Sequence, residues 1–182
     1  MDRRTFVKIG FAAAAVTGSG VALSTPMAPT AVFFDPRYSD SRRFAQTFGE
    51  LGSRTFSTAS DIVQQWHANA AALSRTRLTG LTTHSDYLVL AHCADEARLR
   101  VHFEAMHDCR VSTTLTHTIN QDGIDAAHAL RASGTEWPAT LVHALAHSPA
   151  LELAAPRTSL RLRTSTAPAA DHPGTLVSWL IA

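Results

Sequence analysis

Polar residues able to bind or transfer charge gather at three places in this chain, each where a short apolar run ends. Asp35, Arg37 and Tyr38 follow Ala31-Val32-Phe33-Phe34; Thr58 and Ser60 follow residues 54–57; Thr82, Thr83 and His84 close residues 78–82. A guanidinium offers a planar pair of donors, a helix N-terminus offers free backbone N–H groups, and hydroxyls fill the gaps. Together these eight residues have the chemistry of a small-anion site. The same residue types also serve local structure. Thr58 and Thr83 are good helix N-caps, Ser39 or Asp40 is placed to cap the segment after Tyr38, and Asp35-Pro36 is an ordinary turn.

Other reactive side chains are more scattered. The chain has ten histidines and two cysteines. His143 and His147 share a helix face, but Ala144 stands where a metalloprotease helix has Glu, and no His₃ or Cys/His spacing predicts a metal. Cys93 and Cys109 allow one disulfide if their backbones approach within about 7 Å. His102 and Glu104 fall on one face of a strand, opposite Val101, Phe103 and Ala105. Ser57, Ser60 and Ser85 carry no mark of a nucleophile. Nucleophile elbow, phosphate loop, dinucleotide fingerprint and haem-attachment motif are all missing, and no cofactor is specified. Lys8 is the sole lysine, so the chain beyond the first residues has no Schiff-base chemistry.

The elements that would position these groups alternate between strand and helix. Residues 31–34 read as a buried strand, followed by a helix carrying Phe44, Ala45, Phe48 and Leu51 on one face. Residues 54–57 and a helix with Ile62, Val63, Trp66, Ala70 and Leu73 repeat the unit. Residues 78–82 and a helix with Tyr87, Leu88, Leu90, Ala91 and Ala94 repeat it again, and Thr58-Ala59-Ser60-Asp61 and Thr83-His84-Ser85-Asp86 both have capping-box spacing. Residues 101–106 and 111–119 form a hairpin by their alternation. Residues 124–131 and a segment opening at Trp137-Pro138 are helical, residues 156–173 are a Pro-rich loop, and residues 175–181 are a last strand inserted in the sheet. The expected fold is α/β: one domain over 31–182, with a mainly parallel sheet, an antiparallel hairpin and a C-terminal strand. Trp66, Trp137 and Trp179 are expected in the core.

Residues 1–28 are of another kind. Arg3 and Arg4 precede Thr5, Phe6, Val7 and Lys8, and a modestly apolar run through Val16 follows before Thr17-Gly18-Ser19-Gly20 interrupts it. In its paired arginines, Phe6 and Lys8 this segment resembles a twin-arginine (Tat) signal peptide. That resemblance covers the leader alone. It implies passage of a folded protein through the twin-arginine translocase to a periplasmic or extracellular location, with cleavage between Thr25 and Val32. The interrupted run is too short for a permanent membrane span, which needs about 20 apolar residues.

Charge narrows the partners. The formal net charge is +1; Asp2, Arg3, Arg4 and Lys8 contribute +2 of it, leaving the remainder near −1. A near-neutral domain is poorly suited to nucleic acid or an anionic membrane surface. These features predict a non-catalytic exported protein that binds a small anionic ligand or serves an exported redox partner. The rival expectation is a small hydrolase or metal-assisted enzyme using Asp35, His84 and His107. A third places a partner-docking segment at 156–173.

Overall fold

A computed structural model describes residues 30–109, 114–119, 124–147, 160–164 and 167–182; the signal-like leader lies outside them. The chain runs β1 (Thr30–Phe34), α1 (Ser39–Glu50), β2 (Arg54–Ser57), α2 (Ile62–Leu73), β3 (Arg77–Thr82), α3 (His84–Glu96), β4 (Val101–Asp108), β5 (Thr116–Ile119), α4 (Ile124–Ala132), α5 (Trp137–His147), β6 (Leu160–Arg163) and β7 (Thr175–Ile181). The three predicted βα units are all present. Residues 160–163, expected within a loop, instead pair with β5 as an edge strand.

The strands form one sheet in the order β2-β1-β3-β7-β4-β5-β6. Only β1–β2 and β1–β3 are parallel. The pairs β3–β7, β7–β4, β4–β5 and β5–β6 are antiparallel, so the sheet is mixed rather than mainly parallel. The cause is β7, which runs back between β3 and β4 and separates two strands that point the same way. A strand's own residues do not encode its direction, because an inward and outward alternation reads alike in either sense.

Helices cover both faces. On one face Phe44, Ala45 and Phe48 of α1 pack with Leu130 of α4 and Trp137, Leu141 and Leu145 of α5 over Val32, Leu81, Phe103 and Leu176. On the other, Ile62, Trp66 and Leu73 of α2 and Tyr87, Leu90 and Ala94 of α3 pack over Phe33, Leu78, Val177 and Trp179. Val63 and Leu88, placed on the apolar stripes by spacing, are exposed. Gly52, at φ +84, turns the chain after α1, a conformation that an L side chain resists.

A register shift between Val101 and Phe103 breaks the simple alternation of β4. Phe103 and Ala105 pack with α1 and α5, whereas Val101 joins the α2/α3 face. The expected grouping of Val101 with Phe103 and Ala105 is therefore corrected by a bulge, which moves every earlier side chain to the other face. Glu104 accepts a hydrogen bond from the Tyr87 hydroxyl at 2.8 Å. His102 Nε2 lies 3.2 Å from the carbonyl of Ala182. All three tryptophans are buried.

Candidate functional site

The carboxyl ends of β2, β1 and β3 are neighbours, as a site at the edge of an α/β sheet requires. Backbone N–H of Thr58 donates to Phe34 O at 2.9 Å. Ser41 Oγ accepts from Asp35 N at 2.8 Å and donates to the carbonyl of Leu81. These bonds bring the loops bearing Asp35, Arg37, Tyr38, Thr58, Ser60, Thr82, Thr83 and His84 to one edge, where the side chains of Asp35, Arg37, Thr82 and Thr83 are already hydrogen-bonded within the protein and Thr58 Oγ1 is buried without a partner among the described residues.

Asp35 is buried and takes Arg37 in a double contact, Nε at 3.0 Å and Nη2 at 2.6 Å. That hydrogen bonding and charge hold the Arg37 guanidinium protonated above its ordinary range. Its carbon also lies 5.3 Å from the Tyr38 ring centre. Thr83 Oγ1 caps α3 by accepting from Asp86 N at 3.3 Å. Thr82 Oγ1 accepts from Trp179 Nε1 at 3.2 Å. Thr58 does not cap α2; Asp61 does, through Gln64 N at 3.0 Å. Ser60 and His84 are exposed.

A second group occupies the α1/α5 side of the same edge. No side chain within the α1 segment caps that helix. Instead Asp171, from the segment before β7, accepts from Ser39 N at 2.8 Å and Ser39 Oγ at 2.6 Å. Burial opposes its ionisation, but these bonds and the charge of Arg42 hold its carboxyl below the usual range. Asp171→Ala is expected to cost about 1 kcal/mol, the value of an N-cap. A denaturation midpoint unchanged by that substitution would show that the helix start needs no such cap.

Asp40 follows in the first turn. It is 9 % exposed, is hydrogen-bonded to Trp137, and its Oδ2 is buried with no partner among the described residues. Burial, and secondly the charge of Asp171, push its pKa up to about 6 against the opposing effects of Trp137 and Arg43.

Behind Trp137 lie two fully buried histidines on facing strands. His107 Nδ1 and His117 Nδ1 are 2.6 Å apart, and His107 Nε2 is 2.8 Å from Ser178 Oγ. The Trp137 ring centre lies 4.3 Å from that of His107 and 5.2 Å from that of His117. Only one proton fits between the two Nδ1 atoms. With both rings neutral, either direction of that bond leaves His117 Nε2 buried and unpaired among the described residues. Burial pushes His107 well below the ordinary range, aided by His117 and His172, and lowers His117 to about 4.

His172 completes the group. Its Nδ1 accepts from Gly174 N–H at 3.1 Å and lies 3.2 Å from Cys109 Sγ. The neutral ring therefore carries its proton on Nε2, a buried atom without a partner among the described residues. Burial lowers its pKa, while Asp108 and Asp171 oppose the shift. Burial, and next the Asp108 carboxylate, push the Cys109 thiol up.

Cys93 and Cys109 are both free. They pack on opposite faces of the sheet, so the disulfide that their count allowed is not formed. The triad of Asp35, His84 and His107 is not assembled either: His107 lies under Trp137, whereas His84 opens α3 on the other face and Asp35 is closed by Arg37. Among the described residues, no group of three or more His, Cys, Asp or Glu is arranged to hold a metal. Sequence reasoning missed Asp40 as a buried acid, together with His117, Asp171, His172 and Ser178. The available signal was the facing positions of His107 and His117 on the hairpin, and it needs the strand register to be read.

Among the described residues, the fold and this edge define an α/β protein with a mixed seven-stranded sheet covered by helices on both faces. No helix among the described residues is long and apolar enough to cross a membrane. No family model, curated protein or solved structure matches the chain.

Proposed function

We propose that this is a non-catalytic binding protein for a small ligand, exported in folded form by the twin-arginine route, with its site on the α1/α5 half of the carboxyl edge. The observation that carries the binding role is the set of buried polar atoms on that side left without partners among the described residues: Asp40 Oδ2, His117 Nε2 and His172 Nε2. Buried polar groups are nearly always paired, and each one left open costs about 1–3 kcal/mol. A ligand bringing complementary groups would offset that cost. The leader supplies the export part, through Arg3, Arg4, Phe6 and Lys8.

Native mass spectrometry of protein recovered outside the cytoplasm tests both parts. The expected result is a chain beginning between Thr25 and Val32 whose native mass exceeds its denatured mass by one small molecule. Equal masses would remove the binding reading, and a full-length chain confined to the cytoplasm would remove export.

A further inference from the structure

We infer that the small ligand of this edge is an organic cation, an amine or guanidinium, held by the open carboxylate oxygen of Asp40 at the N-terminus of α1, beside an Asp171 already engaged by Ser39 and Arg42. This rests on the ligand-binding reading above and gives it a chemistry. The charged and helix-start donors that would hold an anion are already closed by the protein's own acceptors, which leaves the neutral Thr58 Oγ1 and His172 Nε2 without partners among the described residues. Arg37 is taken by Asp35, the start of α1 by Asp171, the start of α2 by Asp61 and the start of α3 by Thr83.

What remains open on carboxylates is acceptor capacity. Asp40 Oδ2 and Asp86 Oδ2 are both buried and unpartnered among the described residues. Charge points the same way: Asp35, Asp40, Asp61, Asp86, Asp108 and Asp171 stand at this edge against Arg37 and Arg42. Arg43, the remaining cation near Asp40, is turned to Glu136. An anion approaching this edge meets net repulsion, whereas a cation is drawn in.

An unpaired buried carboxylate is the most costly of the open groups, and an ammonium or guanidinium N–H supplies both the hydrogen bond and the counter-charge. The groups facing Asp40 are the indole N–H of Trp137 from α5, Asp171 from the segment before β7, Arg43 of α1 and, at longer range, the Cys109 thiol. None of these except Arg43 is a cation. Binding of a cation should therefore strengthen as Asp40 ionises, and binding of an anion should weaken.

The test is an NMR titration of the exported chain with n-butylammonium, with inorganic phosphate as contrast at matched ionic strength, between about pH 5 and pH 8. The expected result is saturable shifts confined to residues 39–41 and 171–172. Affinity should rise about tenfold or more across that pH range and fall about tenfold or more in Asp40→Asn. Should Asp40→Asn misfold, the pH dependence of the unsubstituted chain decides by itself. A pH-independent affinity, or no saturable shift with n-butylammonium, overturns the inference. Saturation of the same residues by phosphate alone also overturns it, but leaves the binding reading standing. Loss of that reading would appear separately, as equal native and denatured masses.

Discussion

Gly80→Ala is expected to lower stability by about 3 kcal/mol or more, at the upper end of what overpacking costs, read as a drop in the denaturant midpoint at unchanged slope. Gly80 lies in the middle of β3, opposite Trp179 of β7. A Cβ placed there would meet Trp179 Cζ2 at 2.5 Å, the backbone oxygen of Phe33 at 2.7 Å and Trp179 Cε2 at 2.7 Å. The indole is fully buried and its Nε1 is tied to Thr82 Oγ1, so it has no free direction to move. The Phe33 oxygen belongs to the β1–β3 ladder and cannot retreat without disturbing it. Trp179→Phe combined with Gly80→Ala should recover only part of the loss, since the backbone contact remains. A cost under about 1 kcal/mol for Gly80→Ala would mean that Trp179 repacks easily, contrary to its two-sided confinement.

The second large effect is a pH dependence in which two terms oppose each other. His117 titrates near 6.5 when unfolded and about 4 when folded. Between those values the unfolded chain binds more protons, so its contribution is complete above about 6.5 and is lost as pH falls, amounting to about 3 kcal/mol. His107 acts in the same direction. Asp40 acts in reverse, because its folded pKa of about 6 lies above the unfolded 3.8. Its contribution is complete below about 3.8 and is lost as pH rises through 6, again about 3 kcal/mol.

In the unsubstituted chain Asp40 thus masks much of the acid lability of the histidine pair. Asp40→Asn keeps the shape and an acceptor for Trp137 while removing the charge. It is expected to raise stability at neutral pH and to steepen the loss between about pH 6.5 and pH 4. Parallel stability profiles for the two proteins would show that burial does not raise the Asp40 carboxyl above its ordinary range. A group that costs stability at neutral pH fits a residue kept ready for a ligand, since binding sites commonly carry polar groups that packing alone would not favour.

Much of the local structure was legible because it depends on neighbours in sequence. The three βα units follow from apolar runs and the helical spacing of Phe44 and Phe48, Ile62 and Trp66, and Tyr87 and Ala94. The cap at Thr83 lies where its spacing predicted, and the last strand is inserted in the sheet as expected. Other features were hidden for identifiable reasons. Thr58 reads as the cap by type and spacing, yet Asp61 holds that role, because backbone geometry decides which oxygen reaches the helix N–H groups. Residues 160–163 read as part of a Pro-rich stretch because four residues carry too little alternation to mark a strand.

The sequence by itself determined the α/β class, the order of elements and the adjacency of chemistry to strand ends, and it carries the resemblance of residues 1–28 to a twin-arginine signal. Each of these is set by contacts within about a dozen residues or by a contiguous motif. Tertiary structure alone decided the rest. Asp171 caps α1 across 132 positions, β7 turns a parallel arrangement into a mixed sheet, and the β4–β5 register sets His107 against His117. It also closed Arg37 with Asp35 and left Asp40 open. Whether a charged group is free or neutralised depends on which distant side chain arrives beside it, and one-dimensional spacing does not contain that information.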